Sequence, residues 1–288
     1  MTESAEPRPV PAAWRLPDNW RPEPFFALGA ISQYLGAAIA VTLFATIPAG
    51  TVALLRVVAA GSIIVLVRRS WRRDWNRDTL IRAGVFGSVL AGMNLTFYLA
   101  IDRLPLGNAV AIEFIGPVAV AALGAHSPRK RGALALAVAG VVLLAGVSPE
   151  GSLPGVGFAL LAATLWAGYI ILGARMATAG SGVDGLGVGM LIGALIISPL
   201  TAGGLAGLAA VPLLMLLALA TGLLSNAIPY GIDQVVLTTV DRSRFAFLQS
   251  LLPVVATIVG LVALAQRPSP VELLGILCVV TAIVLAGE

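Results

Sequence analysis

The sequence has few of the residues on which metal sites and hydrolytic enzymes depend. It contains one cysteine, Cys278, and one histidine, His126, in 288 residues. A single cysteine excludes an intrachain disulfide, and neither residue has partners for a zinc site. Charged residues make up 11% of the chain, against about 25% in soluble domains. We therefore expect no metal and no cofactor, and we do not expect a soluble domain.

Sequence motifs for nucleotide chemistry and for peptide hydrolysis are also missing. No segment reads Gly-x-x-x-x-Gly-Lys-Ser/Thr, so ATP is not the expected energy source. Serine chemistry needs a partner base, yet the one histidine lies in a predicted loop. A pair of catalytic aspartates would need two aspartates in the apolar runs, and only Asp233 qualifies. The net charge is +4, and the arginines that produce it cluster between apolar runs and not on one amphipathic face. These observations argue against an enzyme and against a nucleic-acid partner.

The abundant feature is apolar sequence in long runs. Hydrophobic residues make up 58% of the chain, and the mean hydropathy is +0.96. Runs of about 20 apolar residues span the roughly 30 Å hydrocarbon core of a bilayer as helices. We predict an all-α membrane protein with ten transmembrane helices, at about 25–46, 50–67, 79–101, 106–124, 132–148, 155–175, 185–200, 212–236, 245–264 and 270–286.

The basic loops predict the orientation of these spans. Loops 68–78 and 125–131 are rich in arginine, whereas the opposite loops contain only Arg103 and Arg267. Since positive loops stay in the cytoplasm, ten spans place both termini there, in a bacterial cytoplasmic membrane. Residues 1–24 contain six prolines and no apolar segment of a signal peptide, so we expect a disordered cytoplasmic tail.

A polar residue precedes a proline by four positions at two places 136 residues apart. These are Glu113 with Pro117, and Gln249 with Pro253. Proline has no N–H, so each one frees the carbonyl four residues earlier. Each pair lies in the fourth span of a five-span half, and five is odd, so the second half enters the membrane from the opposite side. We predict two inverted five-helix repeats with substrate held between them. The halves are 25–148 and 155–287.

Arg56 and Glu113 are charged residues at the same predicted depth in the membrane. Both lie a few residues into spans that run from the outside to the inside, so we expect them to pair. One interpretation is a permanent ion pair that fixes helix order. The other is that substrate or a proton competes for Glu113, which makes Glu113 a coupling candidate.

The eighth span carries a second group of polar residues. Pro229 frees the carbonyl of Ser225, which predicts a kink, and Asn226 and Tyr230 share a face. Asp233 lies nearer the cytoplasmic end, where it is either solvated or a second coupling residue. Further candidates for lining a substrate cavity are Gln33, Tyr34, Asn94, Tyr98, Trp166 and Gln249.

Gly185, Gly189 and Gly193 form a row on one face of the seventh span. Small residues at this spacing let a neighbouring helix approach closely in a membrane. We therefore expect the seventh span to pack tightly against another helix along this row.

Two stretches resemble the EamA family of the drug/metabolite transporter superfamily, in its threonine/homoserine exporter branch. Residues 106–117 read LGNAVAIEFIGP, where that branch has Leu-Gly-x-Ala-Val-Ala-x-Glu-Phe-x-Gly-Pro. Residues 228–233 read IPYGID, with Asp233 where a Glu is usual. The chain departs from the family pattern at Leu252, where Glu precedes the proline, and at Ala265-Gln266, where Gly-Glu is usual.

The resemblance covers about residues 25–287 and implies a specific function. It implies ten helices in two inverted halves, a central cavity, proton coupling, and export of small amino-acid-like metabolites. From the residues alone we predict a secondary transporter, since Arg56 and Glu113 offer a cation and an anion to a zwitterion. The expected partners are the small-molecule substrate and the lipid bilayer. The alternative is a membrane channel or a non-transporting membrane scaffold.

Overall fold

The computed structural model describes residues 22–123, 127–147, 152–178, 182–208, 211–229, 232 and 248–287. Nearly all of the predicted N-terminal tail therefore lies outside the described residues. Within the described ranges every regular element is helical, as the apolar runs predict. The first six helices are α1 (Pro22–Leu43), α2 (Ala49–Arg68), α3 (Arg77–Ile101), α4 (Leu106–Glu113), α5 (Ile115–Leu123) and α6 (Pro128–Val147).

The second part of the chain continues in the same manner. Its helices are α7 (Leu153–Thr178), α8 (Gly182–Thr201), α9 (Leu205–Leu208), α10 (Pro212–Gly222), α11 (Leu251–Leu264) and α12 (Pro270–Gly287), with a π-helix at Leu223–Ala227 after α10. Helical segments coincide with all ten predicted spans, because α4 and α5 share the fourth and α10 and the π-helix share the eighth.

By length and composition, five described helices are long and apolar enough to cross a membrane. They cover Glu23–Leu43, Ala49–Arg68, Arg77–Ile101, Leu153–Gly173 and Val183–Gly204, and shorter apolar helices accompany them. Large apolar side chains lie on the outer faces of both the long and the shorter helices: Leu200 is 82% exposed, Val262 79% and Leu195 73%. Such a surface is unfavourable in water and suits contact with lipid tails.

Two helices are interrupted at equivalent places in the two predicted halves. Phe114 separates α4 from α5 and lies three residues before Pro117. Ser250 interrupts the helix that continues as α11 and lies three residues before Pro253. The two interruptions are 136 residues apart, as the two prolines are. A proline removes a backbone donor and crowds the preceding turn, so the helix breaks just ahead of it.

Helices from the first part of the chain pack mainly on helices from the second. α3 lies against α7 and α8, α2 against α8 and α10, and α6 against α12. The predicted glycine row is part of this packing: a Cβ at Gly193 would collide with the Gly87 carbonyl of α3, and one at Gly189 would crowd Ala83. The absence of side chains there lets the backbones of α3 and α8 come together, as predicted.

Candidate functional site

Two groups of buried and partly buried polar residues connect the two parts of the chain. The central cluster consists of Arg56 of α2, Tyr98 of α3, and Ser225 and Asn226 of the π-helix. The rim cluster lies at the N-terminal ends of α4 and α12 and consists of Asn108, Gln266, Ser269 and Glu272, with the backbone N–H of Leu106. Buried polar groups in a membrane are costly, so each cluster requires a physical explanation.

Arg56 is the organising residue of the central cluster. Its side chain is 6% exposed. Its Nε donates to Asn226 Oδ1 at 3.0 Å, and its Nη2 donates to the same oxygen. Nη2 also donates to the Ser225 carbonyl oxygen at 3.3 Å. A cation in the first part of the chain is therefore held by amide oxygens of the second part.

The local sequence explains why the Ser225 carbonyl is available. Pro229 has no N–H to donate to it, and the chain widens there into a π-helix. α2 approaches because Gly222 has no side chain: a Cβ there would collide with the Arg56 carbonyl oxygen. The predicted kink thus takes the form of a π-helix, and the carbonyl that proline frees is satisfied by a charged donor.

The π-helix is also attached to α1. Ser225 Oγ donates to the Gln33 carbonyl oxygen, and Ser32 Oγ donates to the Leu224 carbonyl oxygen, each at 2.8 Å. A Cβ at Gly36 would collide with Ser225 Oγ. Gln33 therefore contributes its backbone to the cluster, a role that its side chain type did not indicate.

Tyr98 covers the other side of Arg56. The Arg56 Cζ lies 4.9 Å from the centre of the Tyr98 ring, a cation–π contact. The ring is fully buried and meets Phe44 edge-on, with centroids 5.8 Å apart. The Tyr98 hydroxyl and Asn226 Nδ2 are buried atoms without a hydrogen-bond partner. Each unsatisfied atom costs about 1–3 kcal/mol.

Glu113 is close to this cluster without being bonded to it. It is the last residue of α4 and is 8% exposed. The predicted direct ion pair with Arg56 is absent from the ion pairs of the described residues, because the Arg56 guanidinium is engaged by Asn226 instead. Arg56 acts on the Glu113 carboxyl electrostatically. That carboxyl receives no hydrogen bond from any residue the structure describes.

The remaining predicted residues have the following environments. Asn94 is buried and donates to the Leu90 carbonyl oxygen of its own helix at 2.9 Å. Trp166 meets Phe114 edge-on, with centroids 4.7 Å apart. Tyr34 is buried and Gln249 is half-buried. Tyr230 and Asp233 lie outside the described residues.

The rim cluster was not predicted from the sequence. Asn108 Nδ2 donates to Glu272 Oε1, and the Ser269 backbone N–H donates to Glu272 Oε2 at 2.7 Å. The Glu272 backbone N–H in turn reaches Ser269 Oγ at 3.3 Å. The signal was present, because Ser269 and Glu272 have the spacing of a capping box. Glu272 is 6% exposed, and both of its carboxylate oxygens are bonded.

Gln266 completes the rim cluster from the loop between α11 and α12. Its Oε1 accepts from the Leu106 backbone N–H, the first of α4, at 3.0 Å. Its own N–H donates to the Gly260 carbonyl oxygen at 3.0 Å, and Ala265 before it has φ 54°. A cavity of about 130 Å³ lies beside it, lined by Pro105, Gly107, Asn108, Thr257, Gln266, Arg267 and Pro268.

The opposite end of the bundle carries an acidic residue that sequence reasoning also missed. Asp184, at the start of α8, accepts from Ser70 Oγ at 2.7 Å and lies 3.4 Å from Arg68 and 3.9 Å from Arg73. It attaches α8 to the basic loop 68–78. The described residues contain no group of three potential metal ligands.

A chain whose described regular elements are all helical, with an apolar outer surface and buried polar clusters, is a multi-pass membrane protein. Comparison with known proteins gives its family. The family model described as "EamA-like transporter family" matches residues 153–287. Threonine/homoserine exporter RhtA of Escherichia coli (strain K12) is 33% identical over 280 residues, covering 95% of this chain and 93% of that protein. The chain belongs to the EamA-like transporter family.

Other matches agree with this assignment. Threonine/homoserine exporter RhtA of Salmonella typhimurium (strain SL1344) is 32% identical over 276 residues, covering 95% of this chain and 93% of that protein. A protein of known crystal structure superposes with a TM-score of 0.58 at 19% identity, covering 92% of this chain and 96% of the other. At that identity the superposition supports the fold and nothing further.

Proposed function

We propose that the protein is a secondary transporter that exports small amino-acid-like metabolites across the cytoplasmic membrane. The observation that carries the proposal is the central cluster, where the buried guanidinium of Arg56 is held by the π-helix inside a bundle of mostly apolar helices. A permanent charge at such a position is a substrate or ion site by default. The 33% identity to an exporter of threonine and homoserine supports the substrate class.

The proposed mechanism is alternating access between two inverted halves, 25–148 and 155–287. Three observations support it. The helix interruptions at Phe114 and Ser250 repeat at 136 residues. α3 packs on α7 and α8, while α10 and the π-helix pack on α1 and α2. In span numbers, the third span packs on the sixth and seventh, and the eighth span packs on the first and second. Each contact in one half thus has a counterpart five spans away, as an inverted repeat requires.

The two clusters have different parts in this cycle. The proposed site is lined by Arg56, Glu113, Asn94, Tyr98, Asn226, Tyr230, Gln249, Trp166, Gln33 and Tyr34. Glu113 and Asp233 are the proposed coupling residues. The bonds of the rim cluster join α4 to the α11–α12 loop through Gln266 and to α12 through Glu272. They must break for the halves to separate at that end, so we assign them to closure of the outer face.

Transport by purified protein in proteoliposomes tests the function. Vesicles preloaded with unlabelled threonine or homoserine should take up the same labelled amino acid by counterflow, and the rate should saturate with concentration. Vesicles that contain the same unlabelled amino acid but no protein are the control. Flux that does not saturate would make the protein a channel, and absence of flux would leave a scaffold; both outcomes contradict the proposal.

The proposed orientation has both termini in the cytoplasm. Cys278 is the single native cysteine, so Cys278→Ala gives a background without thiols. In that background Arg267→Cys, beside the rim cluster, should react in intact cells with a membrane-impermeant thiol reagent. Arg72→Cys, in the basic loop, should react only after the cells are opened. Both positions are exposed, and the reverse pattern would contradict the orientation.

A further inference from the structure

Unsatisfied buried polar atoms in the described residues are few and concentrate at one place. They are the Tyr98 hydroxyl, Asn226 Nδ2 and Ser152 Oγ. Two of the three lie on side chains that contact the Arg56 guanidinium. Because native structures satisfy nearly all buried polar groups, two such atoms around one cation need an explanation.

The bonds already made determine which partner these atoms can accept. Asn226 Oδ1 receives two N–H groups from Arg56, which fixes the orientation of the amide. Its Nδ2 can then only donate. Arg56 can also only donate, and no described residue accepts from its Nη1. With the Tyr98 hydroxyl, the cluster offers three donors to a group that must bring the acceptors.

We propose that Arg56, Asn226 Nδ2 and the Tyr98 hydroxyl form the subsite for the carboxylate of the transported amino acid. This inference rests on the proposed function and adds the chemical requirement for recognition. A carboxylate supplies two acceptor oxygens and a negative charge, which match three donors around a guanidinium. An amide, an ester or an amine without the carboxylate lacks that charge.

The arrangement also specifies how the subsite opens. Asn226 Nδ2 and the Tyr98 hydroxyl are shut off from solvent in this structure, and Ser225 ties the π-helix to α1. A carboxylate reaches these donors when the Tyr98 ring turns away from the guanidinium, while Asn226 keeps Arg56 in place. Asn226 is therefore both a ligand and the residue that positions the cation.

Selectivity between threonine and threoninamide tests the subsite in the full-length protein. In wild type, threonine should compete for counterflow of labelled threonine at a concentration about 100-fold below that of threoninamide, because a charge-assisted bond is roughly twice as strong as a neutral one and several are lost. Tyr98→Phe keeps the ring and removes only the hydroxyl. It should raise the KM for threonine about tenfold and narrow the preference over threoninamide to about tenfold, with Vmax nearly unchanged.

Asn226→Asp provides a second and sharper variant. The carboxylate still accepts from Arg56, but it replaces the Nδ2 donor with an acceptor and neutralises the cation. Threonine transport should be lost while the protein remains folded by size-exclusion chromatography and thermal melting. The matched control is Ser152→Ala, which removes the third unsatisfied atom away from the cluster and should leave the KM and the preference at wild-type values.

The outcomes separate this inference from the proposed function. If wild type transports no amino acid, the proposed function is wrong and the inference is wrong with it. If wild type transports threonine but threoninamide competes equally well, only the carboxylate subsite is wrong. The same conclusion follows if folded Tyr98→Phe and Asn226→Asp both keep the wild-type KM and preference.

Discussion

The central cluster and the rim cluster both contain buried polar side chains and both connect the first part of the chain to the second, yet their hydrogen bonding differs. In the rim cluster both oxygens of Glu272 are bonded, and so are the amide of Asn108 and the carbonyl of Gln266. In the central cluster Tyr98 and Asn226 each keep an unsatisfied atom. A saturated network holds a structure together, whereas an unsaturated one has donors left for a ligand.

The difference arises from where each cluster sits on its helices. The rim cluster lies at the first turns of α4 and α12, where helices expose backbone N–H groups, and Gln266 and Glu272 are acceptors that satisfy them. The central cluster lies within spans, where Pro229 exposes a carbonyl and Arg56 satisfies it. Once that carbonyl and Asn226 Oδ1 are bonded, the unsatisfied atoms of the central cluster are Asn226 Nδ2, which only donates, and the Tyr98 hydroxyl, which can donate.

The largest effect should follow from Arg56→Ala. It removes bonds to charged nitrogen worth about 1.5–3 kcal/mol each and leaves the Ser225 carbonyl and Asn226 Oδ1 unpaired. We expect threonine counterflow to fall by more than about 100-fold. Arg56→Lys keeps the charge without the planar fork and should retain part of the flux. Wild-type flux in folded Arg56→Ala would remove the functional role of the central cluster.

The second test compares the two buried carboxylates. Glu113 accepts no bond from the described residues, whereas Glu272 is bonded at both oxygens. Glu113→Gln should abolish the dependence of flux on an imposed pH gradient. Glu272→Gln, as the matched control, should keep that dependence and lose stability instead. The roles are reversed if the pH response survives in Glu113→Gln and disappears in Glu272→Gln.

A smaller effect, on stability alone, is expected from Asn108→Ala. Its bond to Glu272 has a charged partner, so its loss should cost about 1.5–3 kcal/mol and lower the Tm by several degrees. The KM for threonine should stay within about twofold of wild type. A cycle with Glu272→Ala should show coupling between the two positions, and additive effects would mean that the bond does not contribute.

The smallest effect should come from the loop that carries Gln266. Ala265 has φ 54°, a left-handed conformation that costs a non-glycine residue about 1–2 kcal/mol. Glycine avoids this strain but loses more backbone freedom on folding, which costs roughly 0.5–1 kcal/mol. Ala265→Gly should therefore raise stability slightly, by about 0.5–1 kcal/mol. Ala263→Gly, at an exposed position of α11, should lower it by about as much. Thermal melting measures both, and a lower Tm for Ala265→Gly would contradict the argument.

The same loop explains a departure from the family pattern. The chain has Ala265-Gln266 where Gly-Glu is usual. The first position is left-handed, which glycine adopts without strain. The second bonds a helix N-terminus through a side-chain oxygen, which Glu would also supply. In this chain Gln266 makes a hydrogen bond that a Glu could also make, and Ala265 adopts a turn that glycine would adopt without strain.

Much of the fold could be predicted because membrane helices depend on local sequence. The ten helical segments follow from apolar length, and the interruptions at Phe114 and Ser250 follow from the prolines three residues later. The tight contact of α3 with α8 followed from the row that includes Gly189 and Gly193. Each of these features depends on a single segment, so the sequence of that segment is sufficient to predict it.

The partner of Arg56 could not be predicted in this way. Arg56 and Glu113 have the same predicted depth in the membrane, and their opposite charges suggested a direct ion pair. In the structure Arg56 donates hydrogen bonds to Asn226 and Ser225 instead. These bonds form because Gly222 lets α2 come close to the π-helix. The bond between Glu272 and Asn108 was missed for a similar reason, since the two residues are 164 positions apart in the sequence.

The sequence by itself determined that the outer surface faces lipid, where the helices lie and where they break. These features follow from hydropathy and from the missing N–H of proline. Only the tertiary structure decided which polar atoms are satisfied. Hydrogen bonds form between helices whose distance depends on small residues on both surfaces. The packing of the helices therefore separates the rim cluster, where both oxygens of Glu272 are bonded, from the central cluster, where Tyr98 and Asn226 still have a donor to offer.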